Sequence, residues 1–294
     1  MPADLRDHAG DARTARPSRG RRAGDTTTAF ATGLVAHHLK IPLAHVEAGF
    51  RTYDLESPFP EEANRQLVDR IADWCFASTR EAADNLRAER IEESRIHCVG
   101  STAVDSVLWA LERIPREPLR ASVLLTLHRR ESFGSHLEEI LLGVSDFLHR
   151  RTEATVLWPV HPNPRIDVAA DSAFAEHPRA HRVAPLPYVD FVAAMLGSKV
   201  VLSDSGGIQE EAPSLGKTLL VARERTERNE ATPALQTRLV GRSRAGIAEA
   251  LAQAWEAPEY AGPFPAPNPY GDGSAGARIT RILERALAPL RGER

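Results

Sequence analysis

Apolar and polar positions along the chain repeat with two different periods. Residues 26–39 carry apolar side chains at Phe30, Leu34, Val35 and Leu39, the spacing of a helix. Residues 41–46 form a short, nearly continuous apolar run that reads as a buried strand. The same rhythm predicts helix 60–71, strand 74–78, helix 79–89, strand 96–99 and helix 102–112. A Pro/Arg-rich stretch at 114–119 breaks it and reads as a linker. Beyond the break come strand 122–127, helix 135–150 and strands 155–160 and 181–184. Helix 189–197, strand 199–203, helix 207–215, strand 218–222 and helix 244–255 follow. A proline-rich segment, 257–269, leads into a last helix over 274–288. Short strands alternating with helices imply βαβ units and parallel sheets, and a linker in the middle favours two doubly wound domains.

The first 23 residues do not join this pattern. They hold one large aliphatic side chain, Leu5, with six arginines and no periodicity. Such a segment buries too little to offset its ordering entropy and is expected to be disordered. The remaining length is ample for two cores within a 294-residue chain. A net charge of -3 gives no reason to expect a nucleic-acid or membrane surface. No apolar run approaches the roughly 20 residues that span a bilayer. The two cysteines, Cys75 and Cys98, are too few for a disulfide framework. A soluble, cytoplasmic protein is the expectation.

In open α/β sheets ligands lie outside the carboxyl ends of the strands. The residues just after the predicted strands are Glu47, His128, His161, Asp204 with Ser205, Gly206 and Gly207, and Arg223. Asp25 joins them if a strand precedes it. Ionisable groups thus recur along one functional edge. Ser205-Gly206-Gly207 opening a helix reads either as a phosphate-binding turn or as a plain turn with Ser205 as its cap. Asp25, Glu47, Glu61 and His128 are acid/base candidates. For Glu61, which follows Pro60 at a helix start, a dipole-favoured surface acid is the plainer reading. Glu210 and Glu211, one turn into their helix, are either surface acids or acceptors for a ribose diol. Arg223, Arg225 and Arg228 could meet a diphosphate. His45, His161 and the cysteines match no metal-ligand spacing, so no metal is expected.

Several longer motifs carry a resemblance. They are Gly24-Asp-Thr-Thr-Thr28, His45-Val-Glu-Ala-Gly-Phe-Arg-Thr52 and Ser57-Pro-Phe-Pro-Glu-Glu-Ala-Asn-Arg65. His128-Arg-Arg-Glu131, His161-Pro-Asn-Pro164 and the run from Asp204 to Lys217 follow in order, then Thr226-Glu-Arg228 and Asn268-Pro-Tyr-Gly-Asp-Gly273. Together, over about residues 24–288, they resemble the non-hydrolysing UDP-N-acetylglucosamine 2-epimerases.

That resemblance implies an α/β, GT-B-like fold of two Rossmann-like domains with the active site in the interdomain cleft. The boundaries expected are a tail at 1–23, an N-terminal domain at 24–116 and a UDP-binding domain at 117–265. Residues 266–294 would hold a helix returning to the first domain. It implies interconversion of UDP-GlcNAc and UDP-ManNAc, without NAD or another cofactor, through UDP elimination to 2-acetamidoglucal and re-addition. By motif match Asp25, Glu47, Glu61 and His128 fall on catalytic positions. Phe191 would pack near uracil, Ser205, Gly206 and Gly207 would hold phosphate, Glu211 would bind ribose and Arg228 the nucleotide. A homodimer is also implied. The family carries βα units ahead of the Gly-Asp-Thr-Thr-Thr motif, and the 23 residues before Gly24 match none of them, so a truncated first domain is expected. Two other readings stand beside catalysis: a non-catalytic UDP-sugar-binding remnant, and a GT-B glycosyltransferase that would release UDP only with an acceptor.

Overall fold

The computed structural model describes residues 20–114, 121–128, 134–160, 174, 177–230, 236–257 and 268–288. The chain divides into a first unit that runs to Thr102 and resumes at Pro269, and a second unit, Ala103–Asn268.

The first unit is built on a parallel sheet with strands in the order β1 (Gly20–Ala23), β2 (Leu43–Ala48), β3 (Trp74–Ala77) and β4 (Ile96–Cys98). Helices α1 (Thr27–His38), α2 (Glu61–Ile71) and α3 (Arg80–Ala88) connect them. Thr26 and Thr79 begin α1 and α3 as side-chain caps, accepting the N–H of Ala29 and Ala82. Alternate β residues feed opposite faces. Leu43, Cys75 and Ala77 pack with Val68, Leu86 and Ile91 on one side. Ala44 and Phe76 pack on the other with Val99 and the C-terminal helix (Ala275–Leu287). That helix presents Ile279, Leu283 and Leu287, four residues apart, as its single apolar stripe.

Two expectations change here. Residues 20–23, expected to lie in a disordered tail, pair in register with residues 43–46 of β2. Pairing in a parallel ladder satisfies main-chain groups and needs no apolar run, so Arg21 and Arg22 gave no signal. Strand β2 also continues past Glu47 to Ala48, with a bulge between Val46 and Ala48.

The second unit holds a six-stranded parallel sheet, ordered β10-β9-β8-β5-β6-β7. These strands are β5 (Val123–Thr126), β6 (Val156–Pro159), β7 (Ala180–Val183), β8 (Val200–Ser203), β9 (Thr218–Val221) and β10 (Thr237–Leu239). The short edge strand β10 was not anticipated from the pattern. Helix α4 (Thr102–Leu111) packs Val107 and Ala110 on Leu124 and Val201. Helices α6 (Tyr188–Gly197) and α7 (Ile208–Ser214) share that face. Helices α5 (Ser135–Arg150) and α8 (Arg244–Glu256) cover the opposite face over Val123, Leu125 and Leu202. Burial on both sides explains why β5, β6, β8 and β9 read as nearly continuous apolar runs. Helices α5 and α8 meet at Gly143, where a Cβ would lie 2.6 Å from the Arg244 carbonyl oxygen. The boundary between units falls ahead of α4, not in the 114–119 stretch, because α4 finds its apolar partners in the second sheet. Residues 115–120 lie outside the described residues. Among the described residues no helix is long and apolar enough to cross a membrane.

Candidate active-site residues

The second sheet reverses its order between β5 and β8: β6 and β7 extend from β5 on one side, β8 to β10 on the other. Ligands of doubly wound sheets sit at the carboxyl ends of the strands at such a reversal. The two residues found there are His128, after β5, and Asp204, after β8. The buried Asp204 carboxylate accepts the His128 main-chain N–H on both oxygens, at 3.1 and 3.2 Å. The histidine side chain itself is exposed. Ser205, Gly206 and Gly207 follow directly, and the Ser205 N–H donates to Ser203 Oγ at 3.0 Å. A Cβ placed on Gly207 would meet open space. This turn therefore presents main-chain atoms to any ligand at the reversal.

Behind the turn, α7 is anchored by a buried ionic chain. Glu210 accepts Arg228 Nε at 2.5 Å, Arg228 Nη1 donates to Glu227 at 2.5 Å, and Glu227 accepts Arg223 at 3.0 Å. Thr226 donates to Gln209 Oε1 at 2.6 Å. The Thr226-Glu-Arg228 motif thus fixes the helix behind the turn. Arg223 and Arg228 are both engaged by carboxylates there, and Arg223 is buried.

Glu211 lies one turn along α7, half-buried, and accepts the Tyr188 hydroxyl at 3.1 Å. Burial pushes its carboxyl up to about 7, against the Tyr188 hydrogen bond, and Glu210 beside it adds to the rise. Glu211 and Tyr188 line a cavity of about 620 Å³ with Asp105, Ser106 and Trp109, a volume that suits a small ligand. Phe191 sits one turn beyond Tyr188 on α6 and packs partly into the core under that face. Tyr188 and the α4 trio were missed in the sequence. Trp109 lies within a helix whose sequence carries no other site signal, and Tyr188 lies at the very start of α6.

In the first unit, Asp25 follows β1, and its carboxylate accepts Arg65 Nη2 at 2.5 Å. The Asp25 side chain is 30% exposed and that of Arg65 only 2%, so the cation is buried and the carboxylate open. Asn64 holds the Asp25 carbonyl at 2.9 Å. Glu47 occupies the bulge of β2 with φ +70°, a left-handed conformation uncommon outside glycine. Its Oε2 lies 3.9 Å from where a Gly24 Cβ would be. Glu61 is half-buried at the first turn of α2, with no side-chain hydrogen bond among the described residues. Its neighbour Glu62 is fully buried and accepts the main-chain N–H groups of Thr52 and Tyr53, both at 3.1 Å. The carboxylate set Asp25, Glu47 and Glu61 thus belongs to the first unit. His128, Phe191, Ser205, Gly206, Gly207, Glu211 and Arg228 belong to the second. The segments 129–133 and 161–173, with the rest of the His128 motif and His161-Pro-Asn-Pro164, lie outside the described residues.

Comparison with known proteins identifies the family. A family model described as UDP-N-acetylglucosamine 2-epimerase matches residues 22–284. The UDP-N-acetylglucosamine 2-epimerase of Escherichia coli strain K12 is 40% identical over 277 residues, covering 89% of this chain and 74% of its own. That of Bacillus subtilis strain 168 is 41% identical over 267 residues, covering 88% and 70%. A crystal structure of the Neisseria meningitidis UDP-GlcNAc 2-epimerase bound to UDP-GlcNAc matches with a TM-score of 0.82 and 36% identity, covering 90% of this chain and 76% of that one. Taken with the two parallel sheets and the motifs on their strand ends, these matches make the chain a member of the UDP-N-acetylglucosamine 2-epimerase family.

Proposed function

We propose that this protein interconverts UDP-GlcNAc and UDP-ManNAc. The observation that carries the reading is the pairing of His128 with Asp204 at the reversal of the second sheet, directly ahead of the Ser205-Gly206-Gly207 turn. A turn of this form suits a diphosphate, and an ionisable side chain is held beside it.

In this reading the nucleotide binds to the second unit. The Ser205 hydroxyl and the main-chain N–H groups of Gly206 and Gly207 receive the diphosphate, Glu211 accepts the ribose hydroxyls and Phe191 lies by the uracil. Arg228, paired with Glu210 and Glu227, serves the nucleotide by fixing α7 behind the turn. The carboxylates of the first unit and His128 handle protons. One base takes the C2 proton, the C1–O bond breaks and UDP departs, leaving 2-acetamidoglucal. Re-addition of UDP at C1 with proton return to the opposite face of C2 completes the inversion. Nothing is oxidised or reduced overall, so the chemistry calls for no hydride carrier. Asp25, Glu47 and Glu61 supply the acid/base set, general acid–base catalysis of this kind being worth about 10²- to 10⁴-fold per group. A homodimer working on nucleotide sugars in the cytoplasm belongs to the same proposal.

The test is chromatographic. Purified protein incubated with UDP-GlcNAc alone should yield UDP-ManNAc, and the same mixture should be reached starting from UDP-ManNAc. Free UDP released only when a sugar acceptor is added would contradict the proposal and favour a transferase.

A further inference from the structure

We propose that His45 is a buried, doubly protonated imidazolium that positions the two acid/base carboxylates, Asp25 and Glu47, through the peptide of Gly24. The proposal rests on the epimerase reading for the roles of those carboxylates; the charge state of His45 does not.

Both ring nitrogens of His45 are hydrogen-bonded inside the first unit. Nδ1 lies 2.6 Å from Asp69 Oδ1, and Nε2 lies 3.1 Å from the Gly24 carbonyl oxygen. A carbonyl oxygen only accepts, so Nε2 carries a proton. Asp69 accepts two further donors, the Gly49 N–H at 3.1 Å and Arg51 Nη2 at 2.8 Å, which is the environment of an ionised carboxylate. Nδ1 therefore carries a proton as well. The short contact to Asp69 has the length of a charge-assisted bond. Burial alone would drive the ring towards neutrality, but Asp69 outweighs it and holds the ring above the ordinary histidine value. Asp69 is held below the ordinary carboxylate range despite its own burial, by His45 and Arg51. Arg51 in turn meets Glu89 at 2.6 Å, so charges alternate along the run His45, Asp69, Arg51 and Glu89. Cys75 of β3 pairs in register with His45 and its thiol donates to the Asp69 carbonyl, Arg95 donates to the same oxygen, and Glu47 lies on the histidine's own strand.

The consequence lies at Gly24. Its N–H donates to the Val46 carbonyl at 3.1 Å while its C=O accepts from His45. The peptide units on both sides of Gly24 are thereby clamped to consecutive residues of β2. Asp25 is the next residue along. Glu47, turned by its bulge, brings its carboxylate against the same glycine. One cation thus sets the turn that carries Asp25 and keeps positive charge near Glu47.

Nitrogen-15 NMR of the histidine-labelled protein reads the charge state directly, without substrate. Both His45 ring nitrogens should still be protonated at a pH where a free histidine has lost one proton. A neutral ring with one proton would overturn the proposal, whatever the enzyme does. His45→Gln offers a donor but no charge. Its kcat should fall about tenfold or more with little change in KM, since small misplacements of catalytic groups act on the chemical step. A folded His45→Gln protein with unaltered kcat would also overturn it. Wild-type protein without turnover, but with a doubly protonated His45, would contradict the epimerase reading and leave the charge assignment standing.

Discussion

The main-chain N–H of His128 is held by both carboxylate oxygens of Asp204, bridging the ends of β5 and β8 where the second sheet reverses. The contact joins residues 76 positions apart in sequence. It sets His128 against the Ser205-Gly206-Gly207 turn. Replacing Asp204 with alanine leaves a part-buried N–H without its acceptor, which costs about 1–3 kcal/mol. Urea unfolding should show that loss, and turnover should drop by about tenfold or more as His128 shifts. Asp204→Asn, which keeps one acceptor oxygen, should lose less stability.

Glu211 should make nucleotide affinity depend on pH. A carboxyl raised to about 7 is mostly protonated at pH 6 and mostly ionised at pH 8, and only the ionised form accepts from both ribose hydroxyls. Calorimetry with UDP should give binding about tenfold tighter at pH 8 than at pH 6 beyond any change seen with Glu211→Gln. The sign for stability is opposite. The folded-state value lies above the unfolded one, so the unfolded chain ionises first. Glu211 therefore favours the folded state below about pH 4.5, and its contribution declines as pH rises towards 7.

Glu47→Gln and His128→Asn should separate chemistry from nucleotide binding. Each should lower kcat by about 10²- to 10⁴-fold. UDP affinity, measured by calorimetry, should stay within about threefold for Glu47→Gln, whose side chain is assigned to proton transfer. A large loss of UDP affinity in that variant would count against the assignment.

The C-terminal helix should report on the core of the first unit. Leu283 is 7% exposed at the centre of the stripe that covers Ala44, Phe76 and Val99. Leu283→Ala should destabilise by about 2–5 kcal/mol. The check is a lowered denaturation midpoint with the urea dependence unchanged.

The sequence told helices from strands almost throughout, because the strands bury both faces and the helices bury one. Helix 135–150 and strand 218–222, for instance, coincide with α5 and β9 to within a residue. What it could not show were partnerships without a period. Strand β1 is held by main-chain pairing and carries arginines where apolar residues would have marked it. Glu62, Arg65 and Asp69 sit at helical spacing on α2, and in sequence such a charged stripe reads as a solvated face. Instead all three are buried, gripping the main chain around Thr52, the Asp25 carboxylate and the His45 ring. Glu47 was picked out by its place after a predicted strand, and the structure sets it in the bulge of β2. Gly49 is required: a Cβ there would lie 2.1 Å from the Ala82 carbonyl oxygen. Tyr188 and Trp109 became visible only once the sheet brought α4 and α6 to one face.

Elimination and re-addition exchange the C2 proton with solvent, and proton NMR of the purified protein with UDP-GlcNAc in deuterated water reads that exchange. UDP-ManNAc should carry deuterium at C2, with deuterium also entering the remaining UDP-GlcNAc. A folded protein that leaves the C2 proton in place, or forms UDP-ManNAc without deuterium, would contradict that route.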